Sequence, residues 1–462
     1  MPLKRSLDCA RIALLCTLTL GVCGDVAHAR KPTRTISSEL TKLYERGRID
    51  RATYDVDRSI HADVKAAIKR LTGAREVQLA GALAAVEGMA ARGAMRASRL
   101  YPLFHTLQRN AEWWSAQPLL APGQRVTFPG SELVWQYVPG QGIQLHPLAN
   151  FGKLNAYAKG SERSNAQNTR LLDELMTVAV PRGGGLAWEY YFTFDGGRPP
   201  WVSSLAQGTG LQAIARSAVK LKRMPELLPR IQEGLELFER KPPGGVRVQT
   251  GNGVHYAQHS FWPGLRVLNG FIQSLVGLYD VARLTGDPRA AQLFADGERA
   301  ARAEVATYDT GAWSYYSRGA ITRESDLGYH TLLRDFVGGL CDRTAIDAYC
   351  SAESHFTAYL TVPPQLELRT GRVRGATATT LEFSLSKIAR ATITVRAPDG
   401  DTVLSVAAGV LGRGRRTVGW DVPRKPGTYT VRVDATDLAG NAATVEGPVE
   451  VLEPKRRKRG GK

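Results

Sequence analysis

The segment "WSYYSRG" places Tyr315, Tyr316 and Arg318 within four residues, and "LGYHT" adds Tyr329 and His330 a short way on. Upstream, "HYAQHSFWPG" holds Tyr256, His259 and Trp262. Tyrosine titrates near pH 10 and becomes a workable base only when a neighbouring cation lowers it, whereas histidine is poised near neutrality. Arg318 is the cation nearest to Tyr315 and Tyr316 along the chain. Trp201, Trp262 and Trp313 stand beside helix ends, where a tryptophan packs between helices more often than it stacks on a sugar. Such a set suits proton transfer.

Helical patterns frame these residues. From Ser37 to about Trp114 apolar residues recur three and four apart, and "SSELTKLYERG" carries a capping-box pattern, so residues 30–117 are expected to form two or more helices. Residues 118–180 mix Gly, Pro and aromatics with short β-prone runs, as expected of loops lining a surface rather than of a regular sheet. Two blocks follow, "GTGLQAIARSAVKLKRMPELLPRIQEGLELFER" and "LNGFIQSLVGLYDVARLTGDPRAAQLFADGERAARAEV". Each reads as an apolar helix, a turn with proline and an amphipathic helix, and a third unit starts at "SDLGYHTLLRDFVGGL". Repeated hairpins make residues 181–362 a toroid or solenoid. On it, Tyr279 is expected to pack with Asp280 as its polar neighbour, Asn269 to cap a helix, and Asp309 to form a turn. After Pro363-Pro364, residues 365–452 alternate β-branched residues with Asp-Gly and Pro-Gly turns, the pattern of a small β-sandwich. The expected fold class is therefore mainly α, toroid-like, with an all-β domain at the C-terminal end.

Composition sets the compartment. The chain has 462 residues, 43% of them hydrophobic, and a formal net charge of +18, partly from the tail 453–462. At the N-terminus, Lys4 and Arg5 precede an apolar run from Ile12 to Val22, then Ala27-His28-Ala29, which reads as a signal peptide over residues 1–29. The run is too short to cross a bilayer core of about 30 Å. Three of the five cysteines would leave with it, and Cys341 and Cys350 are placed to close a small disulfide in an oxidising compartment. A basic exported protein suits anionic glycans or a cell envelope better than nucleic acid, for which no motif is present. No phosphate loop, dinucleotide fingerprint, nucleophile elbow or metal-ligand spacing occurs, so no cofactor and no metal are expected, and oligomeric state is not indicated.

Four stretches in order, "PWVSSLAQGTGLQAIARSA", "PGLRVLNGFIQSLVGLYD", "YDTGAWSYYS" and "SDLGYHTLL", resemble the C-terminal catalytic domain of the D-glucuronyl C5-epimerases, over roughly Trp188 to Ala358. The resemblance implies an α/α toroid with a polysaccharide cleft. It also implies Tyr316 or its neighbour Tyr315, Tyr329 and Arg318 near the uronate of an anionic polysaccharide. Where the family has a Glu-Tyr pair this chain has Gln258 and His259, so Tyr256 takes over the role or His259 acts as the base itself. Trp201, Tyr256, Trp262, Asn269, Trp313 and His330 are then expected along the substrate. Removing the proton at C5 and returning one to the opposite face needs two acid/base groups, and an arginine on the carboxylate makes the enediolate less costly. Expulsion of the C4 oxygen from the same carbanion would make the enzyme a lyase. Loss of activity at Gln258 and His259 would leave a glycan-binding envelope protein. The run "GWDVPRKPGTYTVRVDATDLAGN" resembles the immunoglobulin-like module of flagellar hook-capping proteins, which implies spacing or attachment and names no activity.

Overall fold

The computed structural model describes residues 34–454, so the expected signal peptide and residues 455–462 of the basic tail lie outside the described residues. The chain divides into two compact units, Met1–Ala303 and Glu304–Lys462.

The first unit opens with α1 (Ile36–Glu45), α2 (Arg51–Arg70), α3 (Gly73–Ala91) and α4 (Leu100–Ala116). Its capping box lies slightly earlier than the sequence pattern placed it: Ser38 N–H donates to Thr35 Oγ1 at 3.1 Å and Thr35 N–H to Ser38 Oγ at 2.8 Å. Next comes an antiparallel sheet of β1 (Arg125–Val126), β2 (Trp135–Val138) and β3 (Gly142–Leu145), then α5 (Pro147–Lys159) and α6 (Asn165–Thr177). This corrects the expectation of loops over residues 118–180. The strands are only two to four residues long, which hides their alternation from a sequence window. Trp135 and Tyr137 nevertheless pack on His105 and Trp114 of α4, while Gln136 and Val138 face the other way.

The hairpin of β4 (Val180–Arg182) and β5 (Gly185–Ala187) leads to α7 (Ser204–Lys220) and α8 (Met224–Glu239). There follow β6 (Arg247–Thr250), β7 (Gly253–Tyr256), β8 (Leu265–Val267), α9 (Leu268–Thr285) and α10 (Pro288–Glu304). α5, α7 and α9 pack side by side and parallel, because residue numbers rise together across both interfaces. Asn155 bonds Gln212 at 3.1 Å and Arg216 at 2.9 Å; Gln212 and Arg216 both reach Asp280, at 2.7 and 2.5 Å. The glycines of "GTG" make the approach possible: a β-carbon on Gly277 would lie 2.3 Å from the Gly208 carbonyl oxygen, and one on Gly210 2.6 Å from the Phe151 ring. α9 stops at Gly286 (φ 71°), and Asp287 accepts from the N–H groups of Arg289 and Ala290 to start α10.

The second unit carries β9 (Tyr315–Gly319), β10 (Arg323–Glu324), α11 (Leu327–Thr344) and α12 (Asp347–Ala358), with Cys341 joined to Cys350. Strands follow: β11 (Leu366–Arg369), β12 (Arg372–Arg374), β13 (Ala378–Leu385), β14 (Ala389–Arg396), β15 (Thr402–Leu411), β16 (Gly414–Asp421), β17 (Gly427–Asp437) and β18 (Ala442–Leu452). They form two sheets, β11-β13-β16 and β12-β18-β17-β14-β15, over one core that includes Phe383, Ile393, Trp420 and Val433. Tyr429 O–H donates back to the Lys425 carbonyl at 3.0 Å. Lys387, almost wholly buried, pairs with Asp437 at 2.9 Å and donates to the carbonyls of Tyr359 and Val362, tying the end of α12 to the strands.

Candidate active site

In the first unit, the parallel run of α5, α7 and α9 puts their N-terminal ends on one side, behind His146, Ser203 and Val267. Trp201 lies there, 4% exposed, stacked on Tyr190 with centroids 4.1 Å apart and donating Nε1–H to the Phe192 carbonyl. Phe194, Phe261 and Trp201 surround the His259 ring at 5.3 to 5.6 Å. Burial pushes the His259 imidazole down to about 4, so it is neutral at pH 7, and its Nδ1 has no hydrogen-bond partner. Asn269 is buried in the first turn of α9. It does not cap that helix, because Val267 holds the cap position and no side chain bonds there. Its Oδ1 and the Gln258 Oε1 have no partner either. Trp262 is half-buried. Tyr256 is wholly inside the core; its hydroxyl donates to the Leu293 carbonyl at 2.7 Å and burial raises its pKa, so packing accounts for it.

In the second unit, the β9–β10 hairpin carries a bulge: Ser317 faces Arg323 and Tyr315 faces Glu324, which leaves Tyr316 as the extra residue. The rings of Tyr316 and Tyr329 meet with centroids 4.5 Å apart. Tyr315 takes a different environment. The guanidinium carbons of Arg318 and Arg413 lie 5.5 and 5.3 Å from its ring centroid, and its hydroxyl accepts from Arg413. Arg318 also donates to the Thr307 carbonyl. Arg413 pairs with Glu324 at 2.5 Å. Burial raises the Glu324 pKa, and its second carboxylate oxygen is buried without a partner.

Trp313 and His330, expected on the substrate, are instead packed together inside the unit, their rings stacked at 3.6 Å. Trp313 donates Nε1–H to the Ser325 carbonyl. His330 Nε2 lies 2.9 Å from the Phe356 carbonyl, which can only accept, so in the neutral ring Nδ1 accepts from Ser314 Oγ at 2.8 Å. Asp309 forms the expected turn, accepting from Gly311 N–H at 2.7 Å, and also holds His355 and Tyr359. Among the described residues no three His, Cys, Asp or Glu side chains stand close enough to hold a metal ion.

Sequence reasoning missed Glu324, Arg413, Arg125 and His146. Arg413 belongs to the turn between β15 and β16, far from the tyrosines in sequence, and nothing local marks it. Arg125 and His146 fall in the segment taken for loops.

A family model for the D-glucuronyl C5-epimerase C-terminus matches residues 183–357. The D-glucuronyl C5-epimerase of Caenorhabditis elegans is 32% identical over 131 residues, 26% of this chain and 21% of that protein, so the chain spans about a fifth of that curated relative. Among solved structures, cellobiose 2-epimerase from Bacillus thermoamylovorans has a TM-score of 0.39 at 13% identity, covering 62% of this chain and 74% of that one. A GH76 α-mannanase from Bacteroides thetaiotaomicron has a TM-score of 0.36 at 8% identity, covering 51% and 66%. Residues 183–357 are thus similar in sequence to the C-terminal part of D-glucuronyl C5-epimerases.

Proposed function

We propose that this chain is an exported carbohydrate-active enzyme that epimerises D-glucuronate to L-iduronate at C5 in an anionic polysaccharide. One observation carries the reading: inside the matched residues, a bulge turns Tyr316 against Tyr329 while Tyr315 is held between two guanidinium groups. In this reading the Tyr316–Tyr329 pair moves the C5 proton, and an arginine of the hairpin balances charge on the developing enediolate. Within the first unit, His259 is neutral and its Nδ1 makes no hydrogen bond among the described residues, so its chemistry suits a proton acceptor.

One feature of the geometry favours the lyase alternative. Rings 4.5 Å apart are in contact, so no pyranose fits between Tyr316 and Tyr329 and both serve one face of the sugar. A base and an acid on the same face suit elimination, whereas epimerisation needs a second group opposite. Incubating the mature protein with glucuronate-containing polysaccharides in D2O separates the two. Deuterium at C5 without cleavage supports epimerisation, and ultraviolet absorbance from an unsaturated product supports the lyase. Untouched H5 across the panel, with one glycan still bound, leaves a glycan-binding protein.

The strand order β11-β13-β16 against β12-β18-β17-β14-β15, with Tyr429 bonding back to the corner before its strand, supports an immunoglobulin-like module for residues 365–452. Export by the N-terminal segment, and retention at an anionic envelope through the basic tail, complete the proposal.

A further inference from the structure

Two arginines close to the β4–β5 hairpin, Arg99 and Arg182, are already committed. Arg99 and Arg182 both pair with the buried carboxylate of Glu189, at 2.5 to 2.8 Å, and Arg99 also donates to the carbonyl of Ala94 and Arg182 to those of Pro200, Pro243 and Gly244. In the cavity of about 550 Å³ that they line with the exposed Arg96, these two guanidinium groups are therefore already committed to Glu189.

Arg125 is different. It is half-buried, yet among the described residues it pairs with no acid and its guanidinium makes no hydrogen bond. On the neighbouring strand Gln136 stands directly opposite, 9% exposed, and its amide likewise bonds nothing. Gln144 continues the row across β3, and His146 follows on the same face two residues later. His146 Nδ1 accepts from Ala149 N–H at 3.1 Å, so in the neutral ring Nε2 carries the hydrogen, and that N–H is unspent too. Burial and then the Arg125 charge push the His146 imidazole down to about 4, which keeps it neutral at pH 7. The Arg125 charge also reaches Tyr190, whose ring stands edge-on to His146 at 5.7 Å and continues into the Trp201 stack.

None of these unspent polar atoms is sealed off from solvent, so a ligand can reach them and replace the water they would otherwise bond. Arg125 and His146 offer only donors here and the Gln136 amide offers a donor beside an acceptor; one of the three is a permanent cation that no carboxylate pairs among the described residues. The N-terminal ends of α5, α7 and α9, which favour negative charge, lie on the side that His146 caps. We infer that Arg125, Gln136 and His146 form a binding site for the carboxylate of a sugar residue, with the Tyr190–Trp201 stack as its apolar floor. This identification of the ligand as a uronosyl residue rests on the proposed function; the donor site itself does not.

The test is equilibrium binding of a hexasaccharide of alternating glucuronate and N-acetylglucosamine, and of the same hexasaccharide after carboxyl reduction. The full chain is expected to bind the first at least about tenfold more tightly than the second, and Arg125→Gln to erase the difference, since a bond to a charged group is worth roughly a factor of ten or more. Arg125→Lys, which keeps the charge but loses the two-pronged geometry, is expected to retain part of it. Thermal melts confirm that the variants fold. Equal binding of the two hexasaccharides, no binding of either, or unchanged binding by Arg125→Gln would each overturn the site. H5 exchange in the same samples tests the enzyme reading separately. Arg125-dependent binding without exchange keeps the site and removes the epimerase, while exchange with an unaltered KM in Arg125→Gln does the reverse.

Discussion

His259 in the first unit and His330 in the second are both buried, at 5% and 0% exposure, and burial pushes both imidazoles down to about 4. They differ in what their nitrogens do. His330 spends both on Ser314 and Phe356 and stacks on Trp313, so the second unit has used it up as a structural part. His259 sits among aromatic rings with Nδ1 bonded to nothing. The same contrast separates Arg99 and Arg182, spent on Glu189, from Arg125. Polar groups that packing has already satisfied explain stability, and those it leaves unsatisfied mark where a ligand is expected.

Substitutions that break this contrast rank by size. Tyr316→Phe and Tyr329→Phe are expected to cost about 10² to 10⁴ in turnover as lost proton-transfer groups, with the melting temperature shifted by no more than about 2 °C; steady-state rates and melts check both. His330→Phe strands the Ser314 hydroxyl and the Phe356 carbonyl and is expected to cost about 2 to 4 kcal/mol in urea unfolding. The next effect is on pH. Each imidazole titrates at about 4 when folded against about 6.5 when unfolded, so between these values the unfolded chain binds more protons. Their contribution is full above pH 6.5 and is lost as pH falls toward 4, by at most about 3 kcal/mol each. The fall should shrink in each Phe variant relative to wild type; equal slopes in all three would mean these histidines are not the groups that titrate. The smallest stability change is expected for His259→Phe, within about 1 kcal/mol, because no partner is left behind. A loss there as large as at His330 would erase the distinction.

Much of the architecture was legible because it rests on patterns that repeat. The apolar-helix, proline-turn and amphipathic-helix blocks appear as α7–α8 and α9–α10, and the alternation of the C-terminal segment as the inward Ala389, Ala391, Ile393 and Val395 of β14. Short strands were not legible: Trp135 and Gln136 alternate over too few residues to separate from a loop. The tyrosine pair was visible as chemistry, but not which tyrosine meets Tyr329, since that choice depends on a bulge set by pairing with β10. Trp313 and His330 carried the right chemistry in sequence and turned out to satisfy each other's neighbours. Arg413 and Arg125 escaped notice because their meaning lies in contacts made, or not made, across long stretches of chain.

The most direct test of the account is deuterium incorporation at C5 of a glucuronate polysaccharide in D2O, followed by NMR for wild type and Tyr316→Phe side by side. The account predicts exchange at C5 in wild type, without chain cleavage, and its near disappearance in the variant. No exchange by wild type on a polysaccharide it demonstrably binds would contradict it.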